Sequence, residues 1–111
     1  MKVNAIVQKF KELFGSSPLV IRSPGRINLI GEHTDYNEGF VLPAAINKEI
    51  FLAIAKNGGE NCRIYSFDYE EMQVIQLRDF SRAPNGWINY ITGVIAQLIG
   101  SGHQLEGFDC V

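Results

Sequence analysis

Cysteine is scarce in this chain: two in 111 residues, Cys62 and Cys110, with no CxxC pair and no histidine pair beside either. That spacing excludes a disulfide framework and a zinc ribbon, and buried reduced thiols are expected. Basic charge is equally short. Ten Lys and Arg against twelve Asp and Glu leave a net charge of −2, dispersed along the chain, so there is no field for nucleic acid or an anionic membrane. No apolar run reaches membrane-spanning length, and Gln8 and Lys9 interrupt the first segment before it forms a secretory core. A soluble, cytoplasmic protein is expected. Internal repeats and low-complexity tracts are also missing, while the 46% hydrophobic content supports one cored domain.

Periodicity supplies the elements. Val3, Ile6, Val7, Phe10, Leu13 and Phe14 share a helical face, with Asn4 as a cap and Gly15 as the stop. Ser16-Ser17-Pro18 turns the chain into a strand at Leu19–Arg22, which Pro24-Gly25 should break. Phe40 to Ile46 and Ile50 to Ala55 read as two further strands, the first interrupted by Pro43. Asn57-Gly58-Gly59 reads as a hairpin turn into a strand over Cys62 to Phe67, and Met72 to Leu77 reads as another. A loop over Arg82–Gly86 then leads into a helix whose apolar stripe is Ile88, Ile91, Ile95 and Leu98. The fold class expected is α+β: a mixed, mostly antiparallel sheet with helices packed on one side. Gly107–Val111 look like the opening of another apolar strand, and the chain is expected to be incomplete.

One stretch carries more chemistry than a solvated loop requires. From Pro24 to Gly39 it gathers one Arg, three acids, a His, two Asn and three Gly around the apolar run Ile27–Ile30, which can cross a core. Glu32 and Asp35 lie three residues apart and can point the same way in a turn, accepting hydrogen bonds from adjacent hydroxyls, and His33 can add a donor or acceptor. Arg26 stands at the other end of the run, where a fixed cation can meet an anion or a developing alkoxide. The combination suits a polyhydroxylated ligand held near something negatively charged. Glu, His and Asp are also metal ligands, but adjacent residues rarely converge on one ion and zinc sites use wider spacing. Tyr36 and Asn37 either border such a pocket or close its turn.

The stretch Gly25 to Ala45, GRINLIGEHTDYNEGFVLPAA, resembles the galactokinase signature, and Trp87 to Val94, WINYITGV, resembles the same family's WxNYxxGV helix. The resemblance runs over nearly the whole chain. It implies the fold of the GHMP-kinase N-terminal domain (ribosomal protein S5 domain 2-like) and transfer of the γ-phosphate of ATP, with Mg2+, to the anomeric hydroxyl of galactose. It further implies sugar contacts from Glu32, His33, Asp35 and Tyr36, and places Arg26 beside the phosphoryl-transfer site. Trp87 falls at the adenine site, with Tyr90 stacking there or extending the core, and Ser66 is a weaker nucleotide-side candidate. On this reading residues 24–45 are the sugar-binding signature and 86–99 the nucleotide-side helix. The family's phosphate loop, general-base aspartate and C-terminal domain are not within residues 1–111, so the chain alone should be inactive. Kinases for N-acetylgalactosamine or arabinose, a non-catalytic sugar and ATP sensor acting through a protein partner, and a free-standing sugar-binding domain are the alternatives. Arg22, Glu38, Asp68, Glu70, Glu71 and His103 are expected to be solvated or to line turns.

Overall fold

A computed structural model describes residues 2–111. Helix α1 (Lys2–Phe14) forms on the apolar stripe of its sequence, with Ile6 and Phe10 buried one turn apart and Phe14 edge-to-face on Phe10 at 4.9 Å between ring centroids. Asn4 lies inside the helix instead of capping it, and Gly15 ends the helix by donating its N–H to the Lys11 carbonyl at 2.9 Å.

Five strands follow: β1 (Leu19–Ile30), β2 (Leu42–Lys56), β3 (Asn61–Ser66), β4 (Glu71–Gln76) and, after helix α2 (Ile88–Gly100), β5 (Phe108–Cys110). Their order in the sheet is β1-β2-β5-β3-β4, antiparallel everywhere except between β3 and β5. The α+β class and the mostly antiparallel mixed sheet are therefore as expected. The helices differ from expectation, because they cover opposite faces. Ile6 and Phe10 of α1 pack with Ala53 and Val111 and with flanking Phe51 and Tyr65, whereas Ile95 of α2 packs with Cys62, Ile64, Ile75 and Cys110 and with flanking Leu52 and Ile54. Successive strand residues point to opposite faces, so Leu52/Ala53, Ile64/Tyr65 and Cys110/Val111 divide between the two layers.

Three local expectations also give way to long-range pairing. Pro24-Gly25 does not break β1, and β2 is one strand of fifteen residues, not two. The pairing absorbs both prolines at register shifts, between Pro24 and Arg26 and between Asn28 and Ile30, and β1 is the sheet edge, where a missing N–H leaves no ladder donor unpaired. Asn57-Gly58-Gly59 is not a hairpin turn, since β5 lies between β2 and β3. The Gly107 N–H donates to the Gly59 carbonyl at 2.9 Å, and the Asn57 N–H donates to the Gly107 carbonyl at 3.1 Å, which admits β5 into the gap.

A further difference concerns Ile27–Ile30, which crosses no core. Strand β5 pairs with β2 only at Ile54–Lys56, and neither hydrophobic cluster contains a β1 residue. The outer half of the β1–β2 ribbon therefore stands clear of the helices, with Ile27, Leu29 and Ile30 46%, 61% and 71% exposed.

Candidate functional site

At the tip of that ribbon the segment 31–41 joins Ile30 to its register partner Leu42. A single 3-10 turn, Asp35–Asn37, follows Thr34, and Thr34 organises the rest. Its hydroxyl lies 2.9 Å from the Gly31 carbonyl and 3.0 Å from the Phe40 carbonyl, while its own carbonyl accepts the N–H groups of Asn37 at 3.1 Å and Gly39 at 2.6 Å. Asn37 Nδ2 donates to the His33 carbonyl at 2.7 Å. Gly31 has φ 104°, and a Cβ there would come within 2.6 Å of the Phe40 carbonyl oxygen and 3.0 Å of Thr34 Oγ1, so the closure admits no side chain. His33 and Glu38, on either side of the turn, take left-handed backbone angles of φ 60° and 59°.

The candidate sugar-facing side chains share this turn. His33 Nδ1 is hydrogen-bonded to the Tyr36 hydroxyl, and the two rings meet edge-to-face at 5.8 Å. Glu32 and Asp35 are exposed and have no hydrogen-bond or ion-pair partner among the described residues, so their carboxylates are free to accept hydroxyl protons. Among the described residues no group of three His, Cys, Asp or Glu is placed to hold a metal ion. Arg26 lies on β1 opposite Ala45, four residues before Ile30, about 13 Å along an extended strand. It is exposed and also without a polar partner among the described residues. Arg22, by contrast, forms an ion pair with Glu49 across the ribbon.

Ser66 and Trp87 meet at Glu71 of β4, while Tyr90 lies apart on the exposed face of α2. Ser66 closes β3 opposite Glu71 and accepts the Tyr69 N–H at 3.3 Å. Trp87, just before α2, donates Nε1–H to Glu71 at 3.0 Å, and its indole lies nearly parallel to the Tyr69 ring, 6.4 Å between centroids. The indole also packs against the α2-side core, so it is part ledge and part core, whereas Tyr90 is 83% exposed. Tyr90 borders an open depression of about 590 Å³ with Phe80, Ser81, Arg82, Gly86 and Asn89. Glu71, expected only to line a turn, thus orients Trp87.

One further polar feature was not singled out by the sequence. Arg63 grips Asp109 through two hydrogen bonds, 2.7 and 2.6 Å, and Asn57 Nδ2 adds a third at 3.0 Å. Burial pushes the Asp109 carboxyl up, but those bonds and the Arg63 charge outweigh it and hold the group below the usual aspartate value. The signal available was an acid inside the apolar closing strand. With both oxygens engaged, this carboxylate is structural. Cys62 and Cys110 are buried free thiols, as expected, and burial pushes Cys110 up to about 12, so it is unreactive at neutral pH.

Residues 8–56 match the galactokinase galactose-binding signature, a span that contains Arg26 and the whole ribbon-tip loop. The galactokinase of Clostridium perfringens strain 13 is 41% identical over all of this chain, and that of Roseiflexus sp. strain RS-1 is 38% identical over 92% of it. The chain spans 30% and 26% of those two proteins, under a third of the length of the curated relatives it matches. Among solved structures, Lactococcus lactis galactokinase complexed with galactose superposes with a TM-score of 0.85 at 34% identity, covering 99% of this chain and 30% of that one. Methanococcus jannaschii mevalonate kinase shares the fold, with a TM-score of 0.62 at 17% identity over 86% of this chain and 32% of that one. Signature, whole-chain identity and superposition agree, and the chain belongs to the galactokinase family.

Proposed function

We propose that this chain supplies the sugar-facing part of a galactokinase, which phosphorylates the anomeric hydroxyl of α-D-galactose with MgATP and yields galactose 1-phosphate. The observation that carries this reading is the galactose-binding signature itself, because it encloses a loop that presents two unengaged carboxylates. Glu32 and Asp35 accept hydrogen bonds from sugar hydroxyls, His33 and Tyr36 border the same pocket, and the ionised acceptors make these bonds stronger than neutral ones. Arg26 stabilises the charge that develops on the transferring group. Trp87, Tyr90 and Ser66 face the nucleotide. Residues 24–45 thus form the sugar side and 86–99 the nucleotide side of one domain. Residues 1–111 carry neither the phosphate-binding loop nor the general-base aspartate. Among the described residues no group of three His, Cys, Asp or Glu is placed to hold a metal ion, so Mg2+ would enter with the nucleotide. The cytoplasm, where MgATP is abundant, is the setting. No helix among the described residues is long and apolar enough to cross a membrane.

ADP release by the full-length protein, measured with galactose, N-acetylgalactosamine and arabinose, tests the activity and the substrate together. Galactose is expected to give the highest kcat/KM. Sugar binding without ADP release would replace the kinase by a sensor. Asp35→Ala is expected to raise the KM for galactose at least about tenfold, the worth of a hydrogen bond to a charged acceptor. An unchanged KM in a folded variant removes Asp35 from the sugar site.

A further inference from the structure

We infer that Thr34 is a positioning residue of the galactose site: its hydroxyl clasps the two ends of the ribbon-tip loop and thereby sets the direction in which Glu32, His33 and Asp35 are presented. The inference rests on the galactose-binding reading above and adds to it a residue that need not touch the sugar.

Thr34 has just one O–H proton, yet it lies within bonding distance of two carbonyls from opposite ends of the loop, Gly31 at 2.9 Å and Phe40 at 3.0 Å. These residues flank the junction with β1 and β2, so the contact closes the loop where the strands hand it over. The backbone of Thr34 closes it again, through its carbonyl and the N–H groups of Asn37 and Gly39. The fit around the side chain is tight. A Cβ on Gly39 would collide with the Thr34 side chain and carbonyl, and one on Gly31 would press on its Oγ1. Within this closure His33 is held at φ 60°, a conformation that a residue with a Cβ adopts only when its surroundings impose it. Releasing the clasp therefore returns His33, and with it the flanking acids, to other backbone angles.

Among the described residues the loop stands at the end of a ribbon whose outer half joins neither hydrophobic cluster. Its geometry depends on hydrogen bonds that it makes to itself. Among these the Thr34 side chain alone reaches both ends. The methyl group makes no polar contact, which separates the two halves of the side chain experimentally: valine keeps the shape and loses the donor, while serine keeps the donor and loses the methyl.

The test uses the full-length protein, with galactose KM and kcat from ADP release and, independently of turnover, the rise in Tm produced by saturating galactose. Thr34→Val is expected to raise the galactose KM about tenfold, leave kcat within about threefold, and lower the galactose-induced Tm shift. Thr34→Ser is expected to hold KM within about threefold of the unmodified protein. A Thr34→Val variant with unchanged KM overturns the inference, as does a loss confined to kcat. Where Thr34→Val fails to fold, the serine variant still decides, since a tenfold rise in its KM shows that the methyl and not the hydroxyl matters. The two readings fail separately. If the unmodified protein shows no galactose-induced Tm shift, the galactose reading falls first, whereas a normal shift with an indifferent Thr34→Val variant removes only the clasp.

Discussion

Where β3, β5 and the inner half of β2 meet, the sheet is covered on both faces, and Phe10, Ala53 and Cys62 are wholly buried between layers. At the other end the β1–β2 ribbon runs out past both helices and ends in a loop that, among the described residues, is held by hydrogen bonds to its own backbone and by the His33–Tyr36 contact. The packed end is positioned by apolar burial, roughly 2–3 kcal/mol for a large side chain such as Phe10. The ribbon tip is positioned by bonds worth about 1 kcal/mol each. Every candidate sugar contact lies on the weaker end. The same molecule therefore separates what holds it together from what faces a ligand, and substitutions at the two ends should act on different observables.

The largest effect is expected at the packed end. Arg63→Ala strands the Asp109 carboxylate, 4% exposed, with only Asn57 as a partner. Breaking a buried pair costs about 3–5 kcal/mol, and the lower value applies because the Arg63 side chain is half-exposed and water can reach the vacated space. Urea unfolding should show that loss while the galactose KM of the remaining folded protein stays unchanged. A changed KM at full stability would mean that the two ends are coupled.

Arg26→Ala is the converse. Its side chain is exposed and has no polar partner among the described residues, so Tm should hold while kcat falls about 100-fold, the usual cost of removing one group that stabilises transition-state charge. The galactose KM should move little. Equal kcat with only a raised KM would count against a role in transfer and place Arg26 among the sugar contacts.

The same division explains what could be read from the sequence. Helices α1 and α2 and strands β3 and β4 were legible because their apolar periodicity is local. The continuity of β1 through Pro24 and of β2 through Pro43 was not, since an edge position and a register shift are properties of the partner strand. The insertion of β5 between β2 and β3 likewise depends on pairings such as Ile54 with Cys110, far apart in the chain. One missed signal was present. Ile50 to Ala55 is apolar at every position, as in a strand covered on both faces, and it argued against helices on one side. At the ribbon tip the residue types Glu32, His33, Asp35 and Tyr36 were legible as a motif. The clasp at Thr34 was not, because its acceptors are carbonyls that every residue carries. Whether Trp87 or Tyr90 would be the more exposed also depended on where α2 met the sheet.

The smallest effect is a pH dependence that belongs to the packed end. Burial alone would raise the Asp109 carboxyl, but the bonds from Arg63 and Asn57 and the Arg63 charge leave it lowered, so the folded state binds this proton less readily than the unfolded chain does. Its contribution to stability is complete above the ordinary aspartate value of about 4 and is lost as the pH falls below that value toward the lowered one. The slope from one such proton is at most about 1.4 kcal/mol per pH unit. Asp109→Asn keeps the shape of the side chain and removes the titration, and the half-exposed Arg63 it leaves unpaired is solvated, so its loss at neutral pH should be smaller than that of Arg63→Ala. Urea midpoints followed from about pH 7 to about pH 3 should then show a shallower acid fall for Asp109→Asn than for the unmodified protein. Parallel acid limbs would mean that the pair does not titrate with folding, and the packed end would owe its stability to apolar burial alone.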